Sequence, residues 1–150
     1  NSAAATHDHP EGIKGAQATA LAIFLARQGA AKSDIRRDIR NRFHYNLDRS
    51  LAEIRPHYAF DISCQGSVPE SIIAFLESKN VEDAIRLAVS LGGDSDTMAC
   101  IAGGIAQASY RAVPELITRE VRSRLPEGFL DVLERFESRY RSATANPRMA

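Results

Sequence analysis

Residues 90–108, SLGGDSDTMACIAGGIAQA, place a turn with two glycines and two aspartates directly before a stretch rich in alanine and glycine. This stretch predicts a helix from Thr97 to about Tyr110. Gly103 and Gly104 fall inside the helix, where each glycine costs about 1 kcal/mol relative to alanine. Close approach of another helix or of a ligand would offset that cost. The pattern therefore predicts a helix in close contact with a neighbour.

Helix signals recur along the rest of the chain. Proline is tolerated in the first helical turn because its missing N–H would be unpaired there. Four prolines are therefore predicted to open helices: Pro10, Pro69, Pro114 and Pro126. Ser33 and Asn80 are predicted N-caps of two further helices. In the first helix, apolar residues at three- and four-residue steps predict a buried face: Ile13, Ala16, Ala20, Ile23 and Phe24.

The remaining region is less regular. A short helix is expected between Leu47 and Arg55, and a loop or extended stretch from His57 to Gly66. About six or seven helices and no convincing alternating strand predict an all-α fold. We expect a compact orthogonal helical bundle that forms a single domain over residues 1–150.

Composition and charge exclude several classes of protein. The chain is 44% hydrophobic and 25% charged, an ordinary globular balance that argues against disorder. Its 19 basic and 19 acidic residues cancel, so no net positive field is available to gather nucleic acid or anionic lipid. No stretch approaches the ~20 apolar residues of a membrane span. Cys64 and Cys100 predict two reduced thiols in a cytoplasmic protein, and a single disulfide stays open as the alternative.

One helix carries a cluster of arginines, which is either a binding face or a solvated face. The interleaved acids favour a solvated face, because Asp34 can pair with Arg37 and Asp38 with Arg42 at helical spacing. We therefore expect no nucleic-acid binding through a basic patch.

The turn Gly92–Thr97 is the strongest chemical signal in the chain. Hard divalent cations prefer oxygen ligands, and Asp94, Asp96 and the Thr97 hydroxyl would supply about half of the roughly six that Mg²⁺ commonly takes. The alternative is an aspartate N-cap with an acidic first turn, which the helix dipole favours. Two nearby carboxylates repel each other, and a cation relieves this repulsion whereas a cap does not require it. We therefore favour a metal site.

Two other families of motif fit this turn poorly. The nucleophile of aspartyl-phosphate phosphotransferases also lies in a DxD-Thr string but follows a β-strand, whereas the preceding AIRLAVSL continues a helix. An EF-hand loop would need a third acid, a loop glycine and a terminal glutamate at the proper spacing.

Two further strings are weaker signals. In Thr6–Pro10, His7 and His9 could hold zinc or line a ligand pocket, although the residues alone favour an exposed polar lead-in to a helix. The string Cys64–Glu70 predicts a small turn before a helix, whose backbone N–H groups could face an anionic or sugar ligand. An ordinary loop before a helix is the alternative.

Taken together, three strings resemble the ADP-ribosylglycohydrolase family: THDHPEGIKGAQA, CQGSVPESI and SLGGDSDTMACIAGGIAQA, in that order. The resemblance runs from about Thr6 to Tyr140. It implies an all-α fold and a pair of Mg²⁺ or Mn²⁺ ions that help to cleave ADP-ribose from a modified protein side chain or a small molecule. Asp94, Asp96 and Thr97 match the family's metal ligands, with the two aspartates catalytic. The positions matched to substrate binding or to the frame of the metals are His7, Gly66, Ser67, Val68, Gly92, Gly93 and Ser95.

The resemblance also implies that part of the site is missing. The family carries a Thr-Asp-Asp segment and a phosphate-contacting loop upstream, and neither precedes Thr6. We therefore expect the chain to be the C-terminal portion of a longer family domain, with weak metal binding and slow turnover. The alternatives are a non-catalytic module that binds ADP-ribose or a nucleotide, and a purely structural relative. A homodimer that covers alanine- and glycine-rich faces is also expected.

Overall fold

The computed structural model describes residues 2–6 and 8–144 of the chain. Within them it has a 3₁₀ turn at Ala3–Ala5, eight α-helices and no strand, so the predicted all-α fold is confirmed. The helices are α1 (Pro10–Arg27), α2 (Lys32–Phe43), α3 (Leu51–Ile54), α4 (Cys64–Glu77), α5 (Val81–Val89), α6 (Ser95–Tyr110), α7 (Glu115–Arg122) and α8 (Glu127–Thr144). They divide between two compact units, Asn1–Val113 and Pro114–Ala150.

Helix α6 lies in the core of the first unit and packs against α1, α4 and α5. Its Met98, Ala102 and Ile105 are fully buried. Gly103 permits this close packing, because a Cβ there would lie 3.2 Å from Ile85 Cγ1 on α5, whereas one at Gly104 would make an ordinary contact, 3.9 Å from Ile23 Cδ1 on α1. The predicted contact at these glycines is confirmed, and another helix supplies it.

Helix α1 buries a different face from the predicted one. Its buried residues are Gly15, Ala18, Ala22 and Ala26, whereas Phe24 is 57% exposed. The predicted stripe was therefore wrong at Ala16, Ala20 and Phe24, which are exposed, whereas Ile23 is partly buried against the core. Small residues at three- and four-residue steps let the backbone of α1 approach its neighbours, and that close packing decides which face is buried.

Helix α4 begins five residues before the predicted start at Pro69. Ser63 is the N-cap, and its hydroxyl accepts a hydrogen bond from the Gly66 N–H at 3.2 Å. Pro69 lies inside the helix, where it cannot donate a backbone hydrogen bond and its ring crowds the preceding turn. The predicted loop or extended stretch from His57 to Gly66 is confirmed as far as Ser63 and was wrong over Cys64–Gly66, since a capping serine outweighs the proline signal here.

Other helix signals had mixed outcomes. Asn80 caps α5 as predicted, with its side-chain oxygen 2.8 Å from the Asp83 N–H. Ser33 does not cap α2, because the N-cap is Ala31 and makes no side-chain hydrogen bond. Arg37 pairs with Asp34 at 2.6 Å, as expected of a solvated face.

Two expectations from composition can be compared with the structure. Cys64 and Cys100 are both free thiols, as predicted. Over the described ranges, no helix combines the length and the apolar character needed to cross a membrane.

The second unit contains α7 and α8. Pro114 is the N-cap of α7, and Pro126 comes directly before α8, so both prolines mark helix starts as predicted. An ion pair joins the two helices, with Arg122 Nη2 2.9 Å from Glu134 Oε1.

Candidate functional site

The turn Gly92–Thr97 leads into α6, and Asp94 is the N-cap residue of that helix. The Asp94 backbone carbonyl accepts from the Met98 N–H at 2.9 Å, whereas its side chain makes no capping hydrogen bond. The alternative, an aspartate N-cap with an acidic first turn, therefore holds for the positions of Asp94 and Asp96, but the Asp94 carboxylate does not make the capping hydrogen bond. The role of its carboxylate as a metal ligand stays a prediction.

The carboxylates of Asp94 and Asp96 lie close enough to affect each other. A hydrogen bond with the Asp94 side chain, followed by the backbone N–H groups of Thr97 and of Asp96 itself, holds the pKa of Asp96 below its usual value. The Thr97 N–H is 3.0 Å from Asp96 Oδ1, and both Asp96 and Thr97 are exposed. Two adjacent carboxylates of this kind are stabilised by a shared proton or by a cation.

The glycines of the turn have different functions. Gly92 has a φ of +75° and nothing within 4 Å of the place where a Cβ would stand, so it supplies a left-handed backbone on an open side of the turn. A Cβ at Gly93 would lie only 2.4 Å from Tyr58 Cε1. The Ser95 hydroxyl donates to the Gly93 carbonyl at 3.1 Å and so closes the turn on itself.

The predicted substrate residues Gly66, Ser67 and Val68 lie in the first turns of α4. Ser67 and Val68 are 4% and 3% exposed. The Ser67 hydroxyl donates to the Ser63 carbonyl at 2.8 Å, and a Cβ at Gly15 of α1 would lie 3.2 Å from Val68 Cγ2. In this arrangement Ser67 and Val68 face the protein interior, and only Gly66 of the three is partly exposed.

Tyr58 connects the start of α4 with the turn before α6. Its hydroxyl donates to the Gly66 carbonyl at 2.8 Å and lies 3.5 Å from Met98 Sδ. Burial, and then the nearby carboxylates of Glu70, Asp61 and Asp94, raise the pKa of Tyr58 to about 12. The sequence did not single out this tyrosine, because one aromatic residue in a loop carries no distinctive pattern.

The first sequence string is only partly visible, since His7 lies outside the described residues. His9 is the N-cap of α1, and its Nδ1 accepts from the Glu11 N–H at 3.2 Å. Its observed role is therefore a helix cap. Farther along α1, a Cβ at Gly15 would lie 3.1 Å from Cys64 Cβ. The structure thus brings the first string next to the second, as Tyr58 brings the second next to the third.

Glu70 of α4 is a buried acid that sequence reasoning missed. It is only 5% exposed, and its Oε1 lies 2.8 Å from Arg49 Nη1. Its Oε2 is buried without a hydrogen-bond partner among the described residues. Nothing in the spacing of charges along the chain distinguishes this glutamate from those on the surface.

The donor set at the turn suits a hard cation but is incomplete. Asp94, Asp96 and Thr97 offer two carboxylates and a hydroxyl, the oxygen ligands that Mg²⁺ and Mn²⁺ prefer. Across residues 2–6 and 8–144, no group of three or more His, Cys, Asp and Glu side chains is arranged to hold a metal ion. The turn can therefore supply part of a coordination shell, with further ligands required from elsewhere.

Comparison with known proteins gives a family match. The family model for ADP-ribosylglycohydrolase matches residues 1–146. No curated protein and no solved structure matches the chain. The match covers all three sequence strings together with the loop that holds Tyr58.

Proposed function

The chain belongs to the ADP-ribosylglycohydrolase family, and on that premise we propose that it forms part of a metal-dependent hydrolase. The proposed reaction removes ADP-ribose from a modified protein side chain or a small molecule by hydrolysis of an N- or O-glycosidic bond. The observation that carries the proposal is the carboxylate pair of Asp94 and Asp96, in which Asp94 is the N-cap residue of α6 but its side chain makes no capping hydrogen bond. Metal binding gives such a pair a purpose that helix formation alone does not.

In this proposal Asp94, Asp96 and Thr97 hold part of a site for two Mg²⁺ or Mn²⁺ ions. The remaining ligands come from a segment outside these residues, because the chain is proposed to be the C-terminal portion of a longer family domain. When bound, the ions would supply Lewis acidity and orient the ribose hydroxyls and a water. An aspartate carboxylate is ionised at neutral pH, which suits a cation ligand.

The chain's own residues would bind and orient the substrate and would transfer protons. Hydrolysis adds water at the anomeric carbon and breaks the bond from that carbon to the leaving nitrogen or oxygen. The proton lost by the water has to reach a base, and the leaving group has to gain one. We assign this proton movement to the carboxylate pair. The open side of the turn at Gly92 is where the sugar would approach, since no side chain stands there.

The direct test combines Mn²⁺ binding with an activity assay. Electron paramagnetic resonance of free Mn²⁺ should show weak binding to the chain, which the double variant Asp94→Asn/Asp96→Asn abolishes. Asp131→Asn on α8 is the matched control and should leave binding unchanged. An isolated chain that binds no Mn²⁺ would contradict the metal site. ADP-ribosyl-arginine with added Mg²⁺ or Mn²⁺ should be hydrolysed slowly, and rapid turnover would contradict the incomplete site.

A second candidate is a non-catalytic module that binds ADP-ribose or a nucleotide. The observation that favours it is the small donor set, since the described residues contain no group of three potential metal-ligating side chains of the His, Cys, Asp and Glu types. Calorimetry with ADP-ribose separates the two functions. Tight binding without metal and without turnover supports the module, whereas binding that requires Mg²⁺ or Mn²⁺ supports the hydrolase.

A further inference from the structure

Tyr58 occupies the space between two elements that are distant in sequence. Its hydroxyl is fixed on α4 by the 2.8 Å hydrogen bond to the Gly66 carbonyl. Its ring lies against the backbone of Gly93, so close that a Cβ at Gly93 would stand 2.4 Å from Cε1. One side chain therefore contacts both the start of α4 and the residue that directly precedes Asp94.

The surroundings of Tyr58 leave its ring little freedom. Met98, whose sulfur lies 3.5 Å from the hydroxyl, is fully buried in the core. Asp61, three residues along the same loop, accepts from the Ser63 N–H at 2.7 Å, which fixes the loop onto the cap of α4. The ring can therefore act as a spacer of constant width between α4 and the turn.

We propose that Tyr58 is a positioning residue that sets the location of the Gly93–Asp94 backbone, and through it the orientation of the Asp94 carboxylate toward a divalent cation. This inference rests on the proposed function for its metal but not for its geometry. Tyr58 acts through Gly93 and touches neither the substrate nor the reacting atoms. Its loop lies between the first and second of the three quoted strings and within the family match.

The test compares two single-atom deletions. Tyr58→Phe keeps the ring against Gly93 and removes the hydroxyl that fixes it. Tyr110→Phe is the matched control, because Tyr110 lies at the other end of α6 and its hydroxyl donates to the Ser78 carbonyl at 2.6 Å. Both variants lose one hydroxyl and one hydrogen bond to a carbonyl, so they differ mainly in location.

The first measurement is amide hydrogen exchange over residues 92–98, which needs no metal. Tyr58→Phe should speed exchange there by about five-fold, the change expected when one ordinary hydrogen bond is lost. Tyr110→Phe should leave exchange in this segment unchanged. Equal exchange in the wild type and in Tyr58→Phe would overturn the proposal. A more drastic substitution, Tyr58→Leu, should speed exchange further, because it removes the aromatic ring itself.

The second measurement is Mn²⁺ binding by electron paramagnetic resonance. As long as the variant remains folded, a general loss of stability does not change the dissociation constant for Mn²⁺. Tyr58→Phe should raise the dissociation constant for Mn²⁺ by about three- to ten-fold, in keeping with loss of one supporting hydrogen bond behind a metal ligand. Tyr110→Phe should not change it. An unchanged dissociation constant in Tyr58→Phe would overturn the role toward the cation. Failure of the wild type to bind Mn²⁺ would contradict the metal site of the proposed function, while the exchange measurement still decides whether Tyr58 holds the turn.

Discussion

Replacement of Gly93 by alanine should destabilise the protein, although it adds only one methyl group. The new Cβ would lie 2.4 Å from Tyr58 Cε1 and 3.2 Å from Met98 Sδ. Carbon atoms in contact prefer a separation of about 3.5–4.0 Å, so the ring or the turn has to move by about 1 Å. Neither moves freely, because the Tyr58 hydroxyl is bonded to Gly66 and Met98 is fully buried.

The expected cost is that of overpacking a core, about 1–3 kcal/mol in the free energy of unfolding. Gly104→Ala in α6 is the matched control, since its nearest neighbour would be 3.9 Å from the added Cβ. That contact is ordinary, and alanine is favoured over glycine inside a helix by about 0.5–1 kcal/mol. The two substitutions add the same methyl group and should change stability in opposite directions.

Urea unfolding followed by far-ultraviolet circular dichroism gives both values. A double-mutant cycle then identifies the cause: in a Tyr58→Leu background the cost of Gly93→Ala should fall, because the ring that blocks the Cβ is gone. If Gly93→Ala is as stable as the wild type, or costs the same in both backgrounds, the spacer geometry at Tyr58 is refuted.

Three other outcomes are expected. Arg49→Met should lower the free energy of unfolding by about 2–3 kcal/mol, because it leaves the buried Glu70 carboxylate unpaired; the partial exposure of Arg49 keeps the cost at the low end for such pairs. In urea unfolding, the double variant Arg49→Met/Glu70→Leu should be close to the wild type in stability. A double variant as unstable as Arg49→Met alone would contradict this reasoning. The Ser50 N–H and hydroxyl lower the pKa of Glu53 below its usual 4.5. The Glu53 carboxylate therefore contributes fully to stability above pH 4.5, and this contribution is lost as the pH falls through the lower, folded-state pKa. Glu53→Gln should flatten the acid limb of a curve of unfolding free energy against pH, and an unchanged acid limb would contradict this prediction. Light scattering at increasing concentration should detect the proposed homodimer, which a monodisperse monomer at high concentration would rule out.

The helices were predictable where local chemistry decides them. Asn80 caps α5 because its side chain bonds the Asp83 N–H, and this interaction can be recognised from neighbouring residues alone. The start of α4 was not predictable in the same way, since Ser63 and Pro69 give competing local signals. The buried face of α1 depends on how closely other helices approach, so a hydrophobicity pattern chose Phe24 where the fold buries alanines.

The residues of the candidate site also differ in whether local sequence reveals them. Gly92–Thr97 was recognisable because its carboxylates, glycines and hydroxyl are consecutive in sequence. Tyr58 and Glu70 were not, since their importance comes from contacts with residues far along the chain: Gly93 and Met98 for the tyrosine, and Arg49 for the glutamate. Sequence patterns therefore identified the candidate ligands, which are consecutive in the chain, and missed two residues whose contacts join distant parts of it.

The glycines of the motifs show why the two parts cannot be separated. The resemblance assigned Gly66 and Gly93 to substrate and metals, yet the chain's own side chains occupy the space beside both. A Cβ at Gly66 would meet the Asp61 carboxylate at 1.9 Å, and one at Gly93 would meet Tyr58. Both neighbours belong to the single loop between α3 and α4, so one loop requires glycine in two motifs. Gly92, unlike Gly66 and Gly93, has nothing among the described residues beside it, and this is the side of the turn from which we propose that a ligand reaches Asp94 and Asp96.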